Sequence, residues 1–218
     1  MDCSYIKFYY HVRSLHKFLS HRSRTRLIKL ALKRAAVPVK YTAGFNPRIS
    51  IIYCPPSPVG VSVENDFFII LSSLVDFEKD VINKINETLP VGFRIHNIER
   101  VDKEEVDKIS KDIVAVYNIT FLKKIESIEQ SIEDVISQKE LILKRKGKKD
   151  KNIRLFINKL ICCKDDKGND VIKGFLKASQ ESYLSPIDFL KIFLQKEKEE
   201  FLYFTEISRI HFELEKGK

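Results

Sequence analysis

The chain is expected to be α+β: two ferredoxin-like (βαββαβ) lobes in tandem, the second with an extra strand. Three observations predict this. Stretches in which apolar and polar residues alternate are separated by stretches whose apolar residues recur every three or four positions. That succession occurs once over residues 1–101 and restarts at 113–218, after a charged stretch at 102–112 that reads as a linker with one helical turn. The 218 residues, 44% hydrophobic and 32% charged, suffice for two small cores.

In the first lobe, Ile6, Phe8, Tyr10 and Val12 alternate with Tyr5, Lys7, Tyr9, His11 and Arg13, which predicts a strand over Tyr5–Arg13. Ser20 or Ser23 can cap a helix running to about Ala36, with Leu27, Ile28, Ala31, Leu32 and Ala35 as its apolar stripe. Val37-Pro38 ends it, because a residue preceding proline disfavours helical backbone. A turn at Ala43–Pro47 leads to a strand near Arg48–Tyr53, and Pro55, Pro56 and Pro58 force an extended loop up to Gly60. Asp66–Leu71 is a continuous apolar strand, Phe77–Leu89 a helix with Val81, Ile82, Ile85 and Leu89 inward, and Phe93–Val101 the closing strand.

The second lobe restarts with a strand at Ile113–Leu122 and a helix at Ser127–Ser137. Glu140–Lys146 with Asn152–Cys163 reads as a hairpin, followed by a strand at Asp170–Ala178. Ser185-Pro186 is a cap followed by proline at the first helical position, starting a helix through about Gln195. Phe204–Leu214 is the last strand.

Charge is unevenly placed. Positions 1–60 hold eleven Lys/Arg and one acid, which leaves 28 basic and 29 acidic residues for the rest. A localised basic field attracts a polyanion, most commonly nucleic acid; lipid headgroups or an acidic protein are the other options. No apolar run approaches the roughly 20 residues that span a bilayer. The N-terminus passes directly into a strand pattern, so no signal peptide is expected and the expected compartment is the cytoplasm. Cys3, Cys54, Cys162 and Cys163 contain no C-x-x-C pair and no group of three closely spaced thiolates for a cluster. No metal and no cofactor are expected, and His11 and His16, five apart across a strand end, do not have metal-ligand spacing.

The candidate binding residues follow from that charge. Arg22, Arg26, Lys29 and Lys33, at spacings of four, three and four, fall on one outward helix stripe, which is either a phosphate contact that does not read sequence or a plain solvated helix face. Lys7, His11 and Arg13 stand beside Tyr5 and Tyr9 on the preceding strand, a mix of charge and stacking surface suited to single-stranded RNA. Asn65–Leu71 lacks the basic-glycine-aromatic start of the common RNA-recognition fold. His21, beside the first helical turn, is either an anion contact or a capping or packing residue. Gly44, Phe45, Asn46 and Pro47 set a tight turn whose amides could alternatively cradle a phosphate. Lys144, Arg145, Lys146, Lys148 and Lys149, at the tip of the second lobe's hairpin, are either a solvated tip or a second clamp.

Several of these segments, Phe18-Leu19-Ser20-His21, Ala31-Leu32-Lys33-Arg34-Ala35, Pro38-Val39, Gly44-Phe45-Asn46-Pro47 and Pro58-Val59-Gly60, resemble the radical-SAM-linked family. That bacterial domain of unknown function is found fused behind a radical-SAM module or encoded beside one. The likeness continues through Leu89–Ile95, Ile153-Arg154 and Ser185-Pro186, and so covers nearly the whole chain. It implies a radical-SAM protein as partner. The chain departs from the family's F-L-S-H-L-D at His21-Arg22-Ser23, where the carboxylate is missing, and has Arg48 where a histidine usually follows F-N-P. The lysine and glycine common after the first strand are replaced by Val12 and Ser14. Arginine does not serve as a base, so a histidine-based site is disfavoured at this corner while anion binding, including by Arg48, survives.

The expected function is therefore that of a non-catalytic accessory protein of a radical-SAM enzyme, binding tRNA or rRNA through its basic N-terminal lobe. Two alternatives belong to other classes. One is a protein–protein adaptor docking the radical-SAM subunit. The other is a metal-independent RNA endonuclease of tandem ferredoxin-like type, with His21 or His11 as acid/base and Arg48 at the phosphorane.

Overall fold

Alternation along the first strand decides the layout of the N-terminal half. β1 (Ser4–Val12) buries Ile6, Phe8, Tyr10 and Val12 on one face and turns Tyr5, Lys7, Tyr9 and His11 to the other. The computed structural model describes residues 3–73, 79–111, 113–145, 147, 149–179, 183–194 and 203–214. The chain divides into two compact units, Met1–Ser110 and Lys111–Lys218, and is α+β.

Unit 1 continues with a 3-10 turn (Ser14–Phe18), α1 (His21–Arg34), β2 (Ile51–Tyr53), β3 (Ser62–Ser72), α2 (Lys79–Thr88), β4 (Phe93–Val101) and α3 (Lys103–Lys111). Its sheet runs β4–β1–β3–β2, with every neighbouring pair antiparallel. Ile28, Ala31 and Leu32 of α1 and Ile85 of α2 pack onto the Ile6–Phe8–Tyr10 face, where the Phe8 and Phe68 rings stack 4.9 Å apart.

Three expectations change here. β3 is eleven residues long rather than six, because Val63 pairs with Val12 beyond the apolar run that marked it. β2 is shorter than Arg48–Tyr53: Thr42 N–H bonds to the Arg48 carbonyl at 2.8 Å and Ser50 N–H to the Lys40 carbonyl at 3.0 Å, so the chain up to residue 50 closes its own small hairpin. The expected linker is a helix. Asp102 accepts from Glu105 N–H at 2.7 Å at its start, Lys108 pairs with Glu104 at 2.7 Å across one turn, and Val106 and Ile109 are buried. The expected helix start at Phe77 and the linker's end at Asp112 lie outside the described residues.

Unit 2 repeats the order of elements with an insertion. It comprises β5 (Ile113–Phe121), α4 (Ile128–Ser137), β6 (Ile142–Leu143), β7 (Lys151–Asn152), a 3-10 turn (Ile153–Phe156), β8 (Ile157–Lys164), β9 (Asp170–Lys177), α5 (Pro186–Phe193) and β10 (Thr205–Leu214). Its sheet runs β10–β5–β9–β8, again antiparallel throughout. The expected hairpin from Glu140 to Cys163 is only two residues deep. Asn152 Oδ1 accepts from Leu141 N–H at 3.0 Å and Arg154 N–H at 3.1 Å, and this bracket redirects the chain so that β8 pairs with β9 instead of β6. Ser185 accepts from Ile187 N–H at 3.2 Å with Pro186 at the first position of α5; the expected end at Gln195 lies outside the described residues. Among the described residues, no helix is long and apolar enough to cross a membrane.

Candidate nucleic-acid interface

α1 starts where it does because Ser20, in extended backbone, accepts from Ser23 N–H at 3.2 Å. Its fourteen residues contain no acid. Ile28, Ala31 and Leu32 face the core, and Arg24, one turn before Ile28, extends that inner stripe and is itself buried. The Arg24 guanidinium donates to the Ser57 hydroxyl and, at 2.8 Å, to the Lys17 carbonyl. It thereby ties the 3-10 turn and the proline-rich loop to the helix.

The opposite face carries the predicted stripe. Arg22, Arg26 and Lys33 are exposed and Lys29 is half-buried. None of the four forms an ion pair with a described residue. At 1.5 Å of rise per residue the stripe is roughly 16 Å long. Arg22 lies in the first turn, where the helix end already carries partial positive charge, so an anion there would relieve repulsion.

The strand cations are placed differently. Lys7 is 8% exposed and donates to Glu105 Oε1 at 2.8 Å, with Glu99 at 3.5 Å and the Tyr9 and Phe67 rings about its ammonium. Burial alone would lower its pKa, but the hydrogen bonds to Glu105 and Tyr9 outweigh it and the pKa is raised. Arg13 is exposed yet grips Glu64, its Nε donating to the two carboxylate oxygens at 3.2 and 3.0 Å. Lys7 and Arg13 are thus engaged within unit 1 by acids from beyond residue 60, which sequence position alone did not connect to them. His11 stacks on His96 at 5.9 Å; burial, then the adjacent Arg13 charge, hold its imidazole below the ordinary histidine value. It therefore offers a ring rather than a cation at neutral pH.

His21 packs edge-on against Tyr53 at 5.6 Å, which joins the start of α1 to the end of β2. Burial pushes the Tyr53 hydroxyl well above the ordinary tyrosine range. Gly44 adopts φ +116°, a backbone region that glycine alone enters freely, and Phe45 beside it is fully exposed. Asn46, Pro47 and Arg48 are also exposed, and Arg48 N–H donates to Thr42 Oγ1 at 3.0 Å, so the turn is held by its own hairpin. In unit 2, Lys144, Arg145 and Lys149 are exposed around the β6–β7 connection, with Arg145 Nε donating to the Lys149 carbonyl at 3.3 Å; Lys146 and Lys148 lie outside the described residues. No group of three or more His, Cys, Asp or Glu that could hold a metal ion occurs among the described residues.

Three of the segments that carry the family resemblance, those at Phe18, Pro58–Gly60 and Leu89–Ile95, meet at the 3-10 turn. Gly60 N–H bonds to the Lys17 carbonyl at 3.0 Å and Arg13 N–H to the Gly92 carbonyl at 2.8 Å. A Cβ on Gly92 would stand 2.5 Å from His16 Nδ1 and 2.8 Å from the Arg13 carbonyl, so only glycine fits. Around this corner Leu15, Phe18, Val59 and Val91 are exposed, Leu15 and Val91 by 80% and 84%. Composition by unit also moderates the charge contrast: unit 1 holds 17 basic and 12 acidic residues, and unit 2 holds 22 and 18.

No curated protein matches the chain. Among solved structures, a protein of Shewanella oneidensis described as a dyp-type peroxidase aligns with 97% of this chain and 91% of its own at 11% identity, with a TM-score of 0.24, too low to carry an argument. Residues 6–186 match the family described as "Uncharacterized protein conserved in bacteria (DUF2344)". That span takes in unit 1 from β1 onward and unit 2 up to the start of α5, and the chain belongs to this family.

Proposed function

We propose that this protein is a non-catalytic, RNA-binding accessory subunit of a radical-SAM enzyme, with the outer face of α1 as its phosphate-binding surface. One observation carries the reading: Arg22, Arg26, Lys29 and Lys33 line a helix without acids and form no ion pair with a described residue. Arg48 and the exposed ring of Phe45, on the hairpin that precedes β2, offer a further cation and stacking group. We read each unit as a ferredoxin-like lobe, which the shared antiparallel order of fourth, first, third and second strands, leaving out the β6–β7 insertion, supports. The radical-SAM partner rests on the resemblance carried by the motif segments, three of which gather at the 3-10 turn. Fluorescence anisotropy with bulk tRNA across a salt series tests the reading. Four phosphate contacts on a single strand correspond to a slope of log K against log salt of about −2.8; binding that is absent or indifferent to salt removes it.

A second reading, an adaptor that docks the radical-SAM subunit through protein contacts, is favoured by the exposed Leu15, Phe18, Val59 and Val91 around that same corner. Co-purification with the radical-SAM protein that survives RNase treatment favours the adaptor, and loss on treatment favours RNA as the link.

A further inference from the structure

Phe175 lies in β9 opposite Val116 of β5, out of step with the Leu176–Ala115 and Ile172–Ile119 pairs. Those pairs belong to the sheet face that meets the helices, where Phe121 packs on Phe193 of α5 and the Cys162 thiol reaches Glu129 of α4. Alternation therefore puts the Phe175 ring, half-buried, on the sheet face of unit 2 opposite the one that packs Phe193 of α5 and meets Glu129 of α4, together with Lys173, Lys177 and, from the edge strand β8, Lys159. The ammonium groups of Lys173 and Lys159 stand 5.6 and 6.0 Å from the ring centroid.

Beside the ring runs a groove of about 990 Å³, which also takes in Lys139 and Arg154. Among the described residues the groove has one carboxylate, Glu213, and His211 Nε2 sits 2.9 Å from it. Arg154 is anchored through the carbonyls of Ile136 at 3.2 Å and Ile157 at 3.1 Å. Lys139, Lys159 and Lys173 form no ion pair with a described residue. A flat aromatic ring flanked by cations, next to a channel with one acid among its described residues, is the chemistry that holds an unpaired base by stacking and its phosphates by charge. Bases inside a duplex are already stacked and paired, and cannot reach a ring on a sheet face.

We infer that the Phe175-bearing sheet face of unit 2 is a single-stranded RNA contact, with one base stacked on Phe175 and neighbouring phosphates held by Lys159 and Lys173. The inference rests on the RNA-binding reading of the protein but not on the α1 stripe.

The test uses the full chain and two probes, a short fluorescein-labelled oligouridylate and a hairpin duplex RNA. Phe175→Ala and the double variant Lys159→Gln/Lys173→Gln are each expected to weaken oligouridylate binding about tenfold while leaving duplex binding within about twofold. Phe175→Leu, which keeps an apolar side chain in the sheet, is expected to lose as much as Phe175→Ala, and this separates stacking from folding. Oligouridylate affinity unchanged in Phe175→Leu and in the double lysine variant overturns the inference, and if an α1-stripe variant has then lost binding, the α1 reading stands alone. Loss in the unit 2 variants with full binding by the α1 variant supports the inference and removes the α1 reading. Polyglutamate that competes as well as unlabelled oligouridylate would show a surface selecting charge without bases, and overturns it too.

Discussion

α1 and β1 lie in the same basic stretch of the chain, yet their cations are in opposite situations. On α1, the outer stripe of Arg22, Arg26, Lys29 and Lys33 forms no ion pair with a described residue. On β1 and just after it, Lys7 is enclosed by Glu105 and Glu99, and Arg13 is held by Glu64. Local composition does not separate these cases, because neither segment has an acid within it. Topology does: β1 is a central strand with β3 and β4 alongside, and both neighbours, with α3, bring carboxylates to it. A surface helix has no such flanks. A count of basic residues along a chain thus measures potential charge, and strand order decides how much of it is available.

The contrast can be broken or sharpened by substitution. The largest effect is expected for neutralising the stripe: Arg22→Gln/Arg26→Gln/Lys29→Gln/Lys33→Gln should weaken RNA binding about a hundredfold in anisotropy at low salt, with an unchanged thermal midpoint. Next comes the inner arginine of the same helix. Arg24→Ala removes the bonds to Ser57 and the Lys17 carbonyl and should cost about 2 kcal/mol in urea unfolding while the folded protein keeps its salt slope. Lys7→Ala should cost about 1 kcal/mol, moderated by the partial exposure of both glutamates, and should leave RNA affinity unchanged. Arg13→Ala, which breaks an exposed pair, should stay within about 0.5 kcal/mol and about twofold in affinity.

The smallest effect is on pH dependence. The folded His11 imidazole binds its proton less readily than in the unfolded chain. The unfolded state therefore takes up the proton first as pH falls below about 6.5, and stability declines there. His11→Phe should flatten that part of a stability–pH profile, whereas an unaltered profile would discount the His11 environment.

Much of the frame was legible in the sequence, wherever one residue type answers one local demand. The two-residue alternation of β1, the serine that caps α1 and the Ser185-Pro186 start of α5 are local signals, and each stands where the pattern put it. The exceptions required contacts from far along the chain. β3 extends past its apolar run because Val63 has Val12 to pair with. α3 was hidden by its charge, though Asp102 as a cap and Val106–Ile109 at helical spacing were available signals. Within the candidate site, the outward stripe was readable from spacing alone, and so in principle was the burial of Arg24, four positions before Ile28 on the inner stripe. The pairing of Lys7 with Glu105, 98 positions away, was not. No short-range rule connects them.

The most direct measurement compares salt slopes. Log K for tRNA against log salt is to be taken for the wild type, for the four-fold α1 glutamine variant and for Lys7→Gln/Arg13→Gln. The α1 variant is expected to lose about 2.8 from the magnitude of the slope, and the β1 variant to keep the wild-type slope. Equal slopes in all three proteins, or a larger loss in the β1 variant, would contradict this expectation.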